Sequence, residues 1–176
     1  MLTIRSASIA DLPRIGDLAR AIWPVVYADM ITPGQITYML ERMYAPAALE
    51  ELMLVRCHRF ALAENDGAPL GFAGFEHHHE RTVTTRLHKL YVRPELHGQH
   101  IGRRLLAHAL AAAHEKGDTT IDLTVNKRNR AIAFYRRHGF TIDREQVLDI
   151  GGGYVMDDYV MTRPTRPTDQ FAEVGS

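Results

Sequence analysis

The sequence predicts a single α+β domain, with a central, mostly antiparallel sheet of about seven strands flanked by helices. Three observations carry that expectation. A chain of 176 residues suits one domain better than two. From His58 onward, strand-like runs follow one another across connections too short for parallel crossovers. Amphipathic helical periodicity appears both before that run and after it.

Composition narrows the function classes. Apolar residues make up 45% and charged residues 24%, the balance of a globular protein. A chain of this size buries roughly two thirds of its unfolded surface, so it needs no disulfide or metal staple. Lys plus Arg and Asp plus Glu both number 21, giving a formal net charge of zero, which argues against a nucleic-acid-gripping protein. No stretch approaches the ~20 apolar residues that span a bilayer, and the first residues lack a signal-peptide core, so a cytoplasmic protein without membrane partners is expected. Cys57 is the only cysteine and is expected to be a buried or half-buried thiol opening a strand.

In chain order, Leu2 to Ala7 predicts the first strand. Asp11 suits a helix N-cap and Pro13 the first turn, where a missing N–H costs nothing. Ile15, Leu18, Ala19 and Ile22 give that helix an apolar face, and Pro24 should end or bend it. Thr32 predicts the cap of a second helix reaching Met43, with Ile36, Met39, Leu40 and Met43 inward, and Pro46 to Met53 a third. Strands are expected over His58–Glu64, Leu70–His77 and Val83–Val92, the first two joined by the turn Asn65-Asp66-Gly67. A long Ala- and Leu-rich helix follows to Lys116, with Gly117 as its C′ residue. Ile121, Leu123 and Val125 alternate as a strand should. A short helix over Asn129–His138 and strands over Phe140–Val147 and Tyr154–Met161 complete the domain, 1–163, and the tail 164–176 is expected to be disordered.

The most informative stretch runs from Leu87 to Leu106. A strand ends, Pro94 breaks it, and a turn containing Gly98 and Gly102 leads directly into a helix. The first N–H groups of a helix have no internal partner and sit at the positive end of its dipole, a natural place for phosphate. Arg103 and Arg104 add charge. The turn is neither a Walker loop nor a dinucleotide fingerprint.

This segment resembles motif A of the GCN5-related N-acetyltransferase (GNAT) superfamily, Arg/Gln-x-x-Gly-x-Gly/Ala. Laid on His97 to Gly102, the last glycine matches, His97 replaces Arg/Gln, and His100 replaces the first glycine. A second segment, Asn126 to Phe140, is similar to the family's motif B, an Asn-led helix ending Tyr-x-x-x-Gly-Phe. The resemblance covers about residues 2–162 and implies a sheet splayed between its fourth and fifth strands. It implies acetyl-CoA as co-substrate and transfer of the acetyl group to a primary amine of a small molecule: an amine, polyamine or amino acid. It implies that main-chain groups of Leu90, Tyr91 and Val92, the turn His97, Gly98, Gln99, His100, Ile101, Gly102 and Arg103, and the side chains of Asn126, Asn129 and Tyr135 meet the cofactor.

By the same resemblance Tyr135 is the general acid that protonates the coenzyme A sulfur; by position alone it suits packing beside Phe134. The base is His88 or Glu76. His88 shares the parity of Leu90 and Val92, and arylalkylamine-type relatives carry a similarly placed histidine. Trp23, Tyr27, Tyr38 and Met39 are candidates for the acceptor pocket, and Asp157 and Asp158 would favour a cationic amine. In the tract His77-His78-His79 only His77 and His79 share a strand face, and no partner completes a standard metal site, so no metal is expected. A non-catalytic acyl-CoA sensor, a peptide acetyltransferase and a His-rich metal-binding regulator are the alternatives, and a homodimer is a family-level expectation.

Overall fold

The computed structural model describes residues 1–166. Seven strands form one sheet: β1 (Leu2–Ser6), β2 (Arg59–Asn65), β3 (Ala68–Glu76), β4 (Thr84–Val92), β5 (Thr120–Asn126), β6 (Thr141–Gly151) and β7 (Tyr154–Pro164), in the order β1-β2-β3-β4-β5-β7-β6. Every neighbouring pair is antiparallel except β4 and β5. Those two pair only from Thr84 and Thr120 to Leu87 and Leu123. Beyond that point each strand continues without the other, so the sheet opens into a V.

Helices cover both faces. α1 (Leu12–Val26), α2 (Pro33–Tyr44) and α3 (Pro46–Leu54) lie on one side, where Ile15, Leu18, Trp23, Tyr44, Phe60 and Phe72 form one core. α4 (Ile101–Glu115) and α5 (Ala131–Arg137) lie on the other, where Leu105, Leu106, Ile121, Leu123, Phe140 and Met161 form a second. Each fully buried aliphatic side chain contributes about 1.5–3 kcal/mol relative to leaving it in water. Strand alternation divides the two cores: in β5, Ile121, Leu123 and Val125 face α4 and are buried, while their neighbours are half exposed. No helix among the described residues is long and apolar enough to cross a membrane.

Several local expectations change. Asp11 does not cap α1; its carboxylate reaches back to accept from the Ser8 N–H (2.9 Å) and from Arg5 and Arg14. α1 runs through Pro24 to Val26, because a proline so near the end forfeits a single helical hydrogen bond. Cys57 is exposed and sits at φ +55°, in the turn before β2 rather than inside the strand. β7 reaches Pro164, and the Thr165 hydroxyl donates to Asp118 O, so these two residues, expected in a disordered tail, belong to the fold; the rest of that expectation, 167–176, lies outside the described residues.

Candidate active site

The Gly98 turn leaves several main-chain donors unpaired. Arg104 N–H is the first of α4 to bond backward, to His100 O. Among the described residues, the N–H groups of Gly98, His100, Ile101, Gly102 and Arg103 have no protein acceptor. The turn is exposed, and a Cβ on Gly102 would meet only ordinary contacts with Phe134 and Val92 at 3.7 Å. Unpaired main-chain donors at the start of a helix suit an anion. Gly98 has φ +87°, and His100 has φ +60° and ψ 10° as the residue before the helix. His100 thus occupies a left-handed position that glycine adopts without cost. Its side chain is exposed.

The V supplies a second set of main-chain groups. Arg93 N–H donates to Leu70 O, which fixes the phase of the β3–β4 ladder. In an antiparallel pair the alternate residues turn their polar groups outward, so Leu90 and Val92 present theirs to the gap beside β5. His97 folds back on this edge, its Nε2 3.1 Å from Val92 O. Across the gap, Asn126 Oδ1 accepts from Arg128 N–H and Asn129 Oδ1 from Ala131 N–H, so both carbonyls brace the turn into α5. Tyr135 is 8% exposed, edge-on to Phe134 and Phe140, and among the described residues its hydroxyl makes no hydrogen bond. Burial pushes its phenol well above the usual tyrosine range.

His88 and Glu76 come together, by a route that parity misses. Between β3 and β4 the register slips: Gly74 faces Lys89, yet Phe75 faces Leu87. His88 is the extra residue, a β-bulge placed where β4 leaves β5. Leu87 lies on the α4 face, as do Leu90 and Val92, so the strand changes phase across the bulge. His88 therefore does not share the face of Leu90 and Val92. It points to the α1 side, its Nε2 3.1 Å from Glu76 Oε2. Burial pushes the His88 imidazole down to about 3, with His58 adding to the effect. Burial pushes the Glu76 carboxyl up, but hydrogen bonding to His79 and His88 outweighs it and leaves the group below its ordinary value.

Two further histidines join this pair. His58 leads into β2 with the parity of Phe60 and Leu62, and that alternation is the signal that places it inside. Its ring stacks on His88 at 4.4 Å, and its Nε2 lies 3.6 Å from Glu76 Oε2. Burial pushes the His58 imidazole down to about 4. His79 Nδ1 is 2.8 Å from the same oxygen. His77 turns away, to Thr85 Oγ1 at 2.9 Å. His77 and His79 do not share a face because β3 ends at Glu76 and the chain then takes left-handed angles at His78, Glu80 and Arg81.

Deeper on this face, Lys89 is 5% exposed with its ammonium 5.0 Å from the Tyr44 ring centre, and burial pushes it down to about 8. The Tyr27 and Tyr91 hydroxyls are 2.9 Å apart, and burial pushes Tyr27 up to about 12, with Asp158 opposing its ionisation further. Asp158 pairs with Asn126 at the open end of β5; it is 4% exposed, and Oδ1 has no partner among the described residues. Burial pushes it up to about 6. Of the proposed acceptor residues, Trp23 and Met39 are core, and Tyr38 donates to Ile150 O at 3.0 Å. Lys127 is spoken for by Glu145 and Asp157 at 2.7 and 2.6 Å.

Known proteins share this arrangement. The acetyltransferase (GNAT) domain family matches residues 56–142, from the turn before β2 to the start of β6. A peptidyl-lysine N-acetyltransferase of Salmonella typhimurium is 33% identical over 113 residues, 61% of this chain and 70% of that protein. A spermidine N(1)-acetyltransferase of Thermoplasma acidophilum is 26% identical over 144 residues, 81% of this chain and 89% of that one. Among solved structures, the PaiA N-acetyltransferase of Thermoplasma acidophilum in complex with coenzyme A superposes with a TM-score of 0.77 at 25% identity, covering 93% of this chain and 99% of that one. On the splayed sheet, the two motifs and these relatives together, the chain belongs to the GNAT superfamily and is an N-acetyltransferase.

Proposed function

We propose that this enzyme moves an acetyl group from acetyl-CoA to a primary amine of a small molecule, by direct attack in a ternary complex. The observation that carries the reading is the coincidence of two features: β4 parts from β5 after Leu87, and the bulge at that point turns His88 onto Glu76. Acyl chemistry at the apex of the V would thus find a proton acceptor on the α1 side and phosphate donors on the α4 side.

In this reading the unpaired N–H groups between Gly98 and Arg103 hold the diphosphate, the main chain of Leu90 and Val92 pairs with the pantetheine amides while that of Tyr91, against the sequence expectation, is taken up by β3, and Asn126 and Asn129 offer their amide nitrogens from the opposite wall. The cofactor supplies an activated thioester. Val92 N–H, turned into the gap, faces the charge that develops on the carbonyl oxygen. The amine nitrogen bonds to the carbonyl carbon as the carbon–sulfur bond breaks; the amine proton passes, directly or through water, to the Glu76–His88 pair, and Tyr135 gives its proton to the departing sulfur. A phenol kept neutral by burial is ready to donate. Glu76 is the charged member of the pair, its carboxyl held below its ordinary value while burial keeps the His88 imidazole neutral, and the two groups in contact take the proton as a unit.

A second reading, a peptide lysine as acceptor, draws support from the Salmonella relative. Free-thiol release from acetyl-CoA over a panel of monoamines, polyamines, amino acids and lysine peptides separates the two. Turnover with small amines is expected, and turnover confined to peptides would replace the first reading with the second.

A further inference from the structure

One carboxylate oxygen in this fold is asked to serve three imidazoles. Glu76 Oε2 lies 2.8 Å from His79 Nδ1, 3.1 Å from His88 Nε2 and 3.6 Å from His58 Nε2. A carboxylate oxygen offers two lone pairs, so it cannot accept well from all three. A cation seated among Glu76 Oε2 and the His58 and His88 nitrogens would relieve that competition.

We propose that His58, Glu76 and His88, with His79 beside them, form a binding site for one divalent transition-metal ion of the zinc class. The ligand atoms of His58, Glu76 and His88 all lie within 4.8 Å of one another. Zinc bonds of 2.0–2.2 Å in a tetrahedron hold ligand atoms roughly 3.3 Å apart, and the three contacts to Oε2 bracket that value. Imidazole nitrogens with one carboxylate oxygen suit zinc and its neighbours, whereas calcium and magnesium prefer oxygen alone. The ligands come from adjacent strands: His58 opens β2, Glu76 ends β3 and His88 is the bulge of β4, so sheet register fixes their main chain. Side-chain exposure of 7% for His58, 27% for Glu76, 27% for His88 and 20% for His79 leaves the cluster open on one side, enough for an ion to enter. His58 Nδ1 is buried with no partner among the described residues, and stacking on His88 orients that ring with Nε2 toward the carboxylate.

The site holds whether or not Glu76 is the base. If Glu76 is the base, the ion and the acceptor compete for it, and zinc inhibits turnover. The test uses the chelator-treated full chain, titrated with zinc chloride by calorimetry and with cobalt chloride by visible absorption. One ion per chain is expected, with the intense visible bands of tetrahedral cobalt. His58→Ala and Glu76→Gln should each weaken binding at least about tenfold, while His78→Ala, beside Asp118, leaves it unchanged. X-ray absorption of the zinc-loaded wild type, with imidazole scattering expected, reads the same ligand set without any substitution. Absence of saturable binding, or binding indifferent to both His58→Ala and Glu76→Gln, overturns the site. Zinc binding that leaves turnover untouched upholds the site and overturns Glu76 as base; normal turnover with no zinc binding removes the site alone.

Discussion

Glu76 and Asp158 are both carboxylates on the α1 face of the sheet, and their surroundings are opposite. Glu76 ends β3 among His58, His79 and His88, and those partners hold it below the ordinary carboxylate range despite burial. Asp158 lies in β7 at the open end of the V, 4% exposed, its Oδ1 without a partner among the described residues, and burial drives it up to about 6. Burial pushes both carboxyls the same way; the neighbours decide the outcome. Glu76 is a preorganised anion at neutral pH, and Asp158 is a charge that the fold tolerates at a cost.

That contrast has measurable consequences, the largest in catalysis. Glu76→Gln should lower kcat/KM by ~10²–10⁴, the range of a general base, with far less loss for Asp158→Asn in the same thiol-release assay. Equal losses would erase the distinction between the two acids. Tyr135→Phe should lower kcat by ~10² while calorimetry finds acetyl-CoA affinity nearly unchanged, if the phenol acts as proposed on the leaving sulfur rather than on binding.

Stability should divide them as well. The Asp158 carboxyl rises from 3.8 unfolded to about 6 folded. The folded state then binds more protons between those values, so stability falls as pH rises through that window and the cost is fully present above it. Asp158→Asn should therefore gain about 1–2 kcal/mol at pH 7, with the gain vanishing near pH 4. Glu76 is shifted the other way, so its contribution is present above its unfolded value and fades on acidification; Glu76→Gln should cost stability at pH 7. Urea melts of both variants at pH 4 and pH 7 check the crossed signs. The smallest effect belongs to the turn proposed to hold phosphate. His100→Gly relieves a left-handed residue and should raise stability by up to about 1 kcal/mol and tighten acetyl-CoA binding, read by thermal shift with and without cofactor.

Local signals in the sequence carried most of the fold. Periodicity and turn residues predicted the strands and the main helices, and the Pro94–Gly102 stretch was legible as a turn into a helix because strand, break and helix start are contiguous there. The site on the α1 face was legible only in part. His88 and Glu76 could be named, but the face His88 occupies depends on a single-residue bulge, which reverses parity and leaves no signature in composition. His58 was readable from its alternation with Phe60 and Leu62, yet its partnership with Glu76 needs the register of β2 on β3 and of β3 on β4. The left-handed angles after Glu76 defeat any strand rule applied to His77, His78 and His79. Pairings between distant strands are tertiary facts, and a local pattern does not encode them.

The most direct test of the central claim is the rate of acetyl transfer by Glu76→Gln beside His88→Ala, each at saturating acetyl-CoA and each shown by calorimetry to bind that cofactor as wild type does. The account predicts that Glu76→Gln loses at least about a hundredfold in turnover and His88→Ala less, because the carboxylate carries the negative charge of the proposed base pair. Wild-type turnover by Glu76→Gln would contradict it.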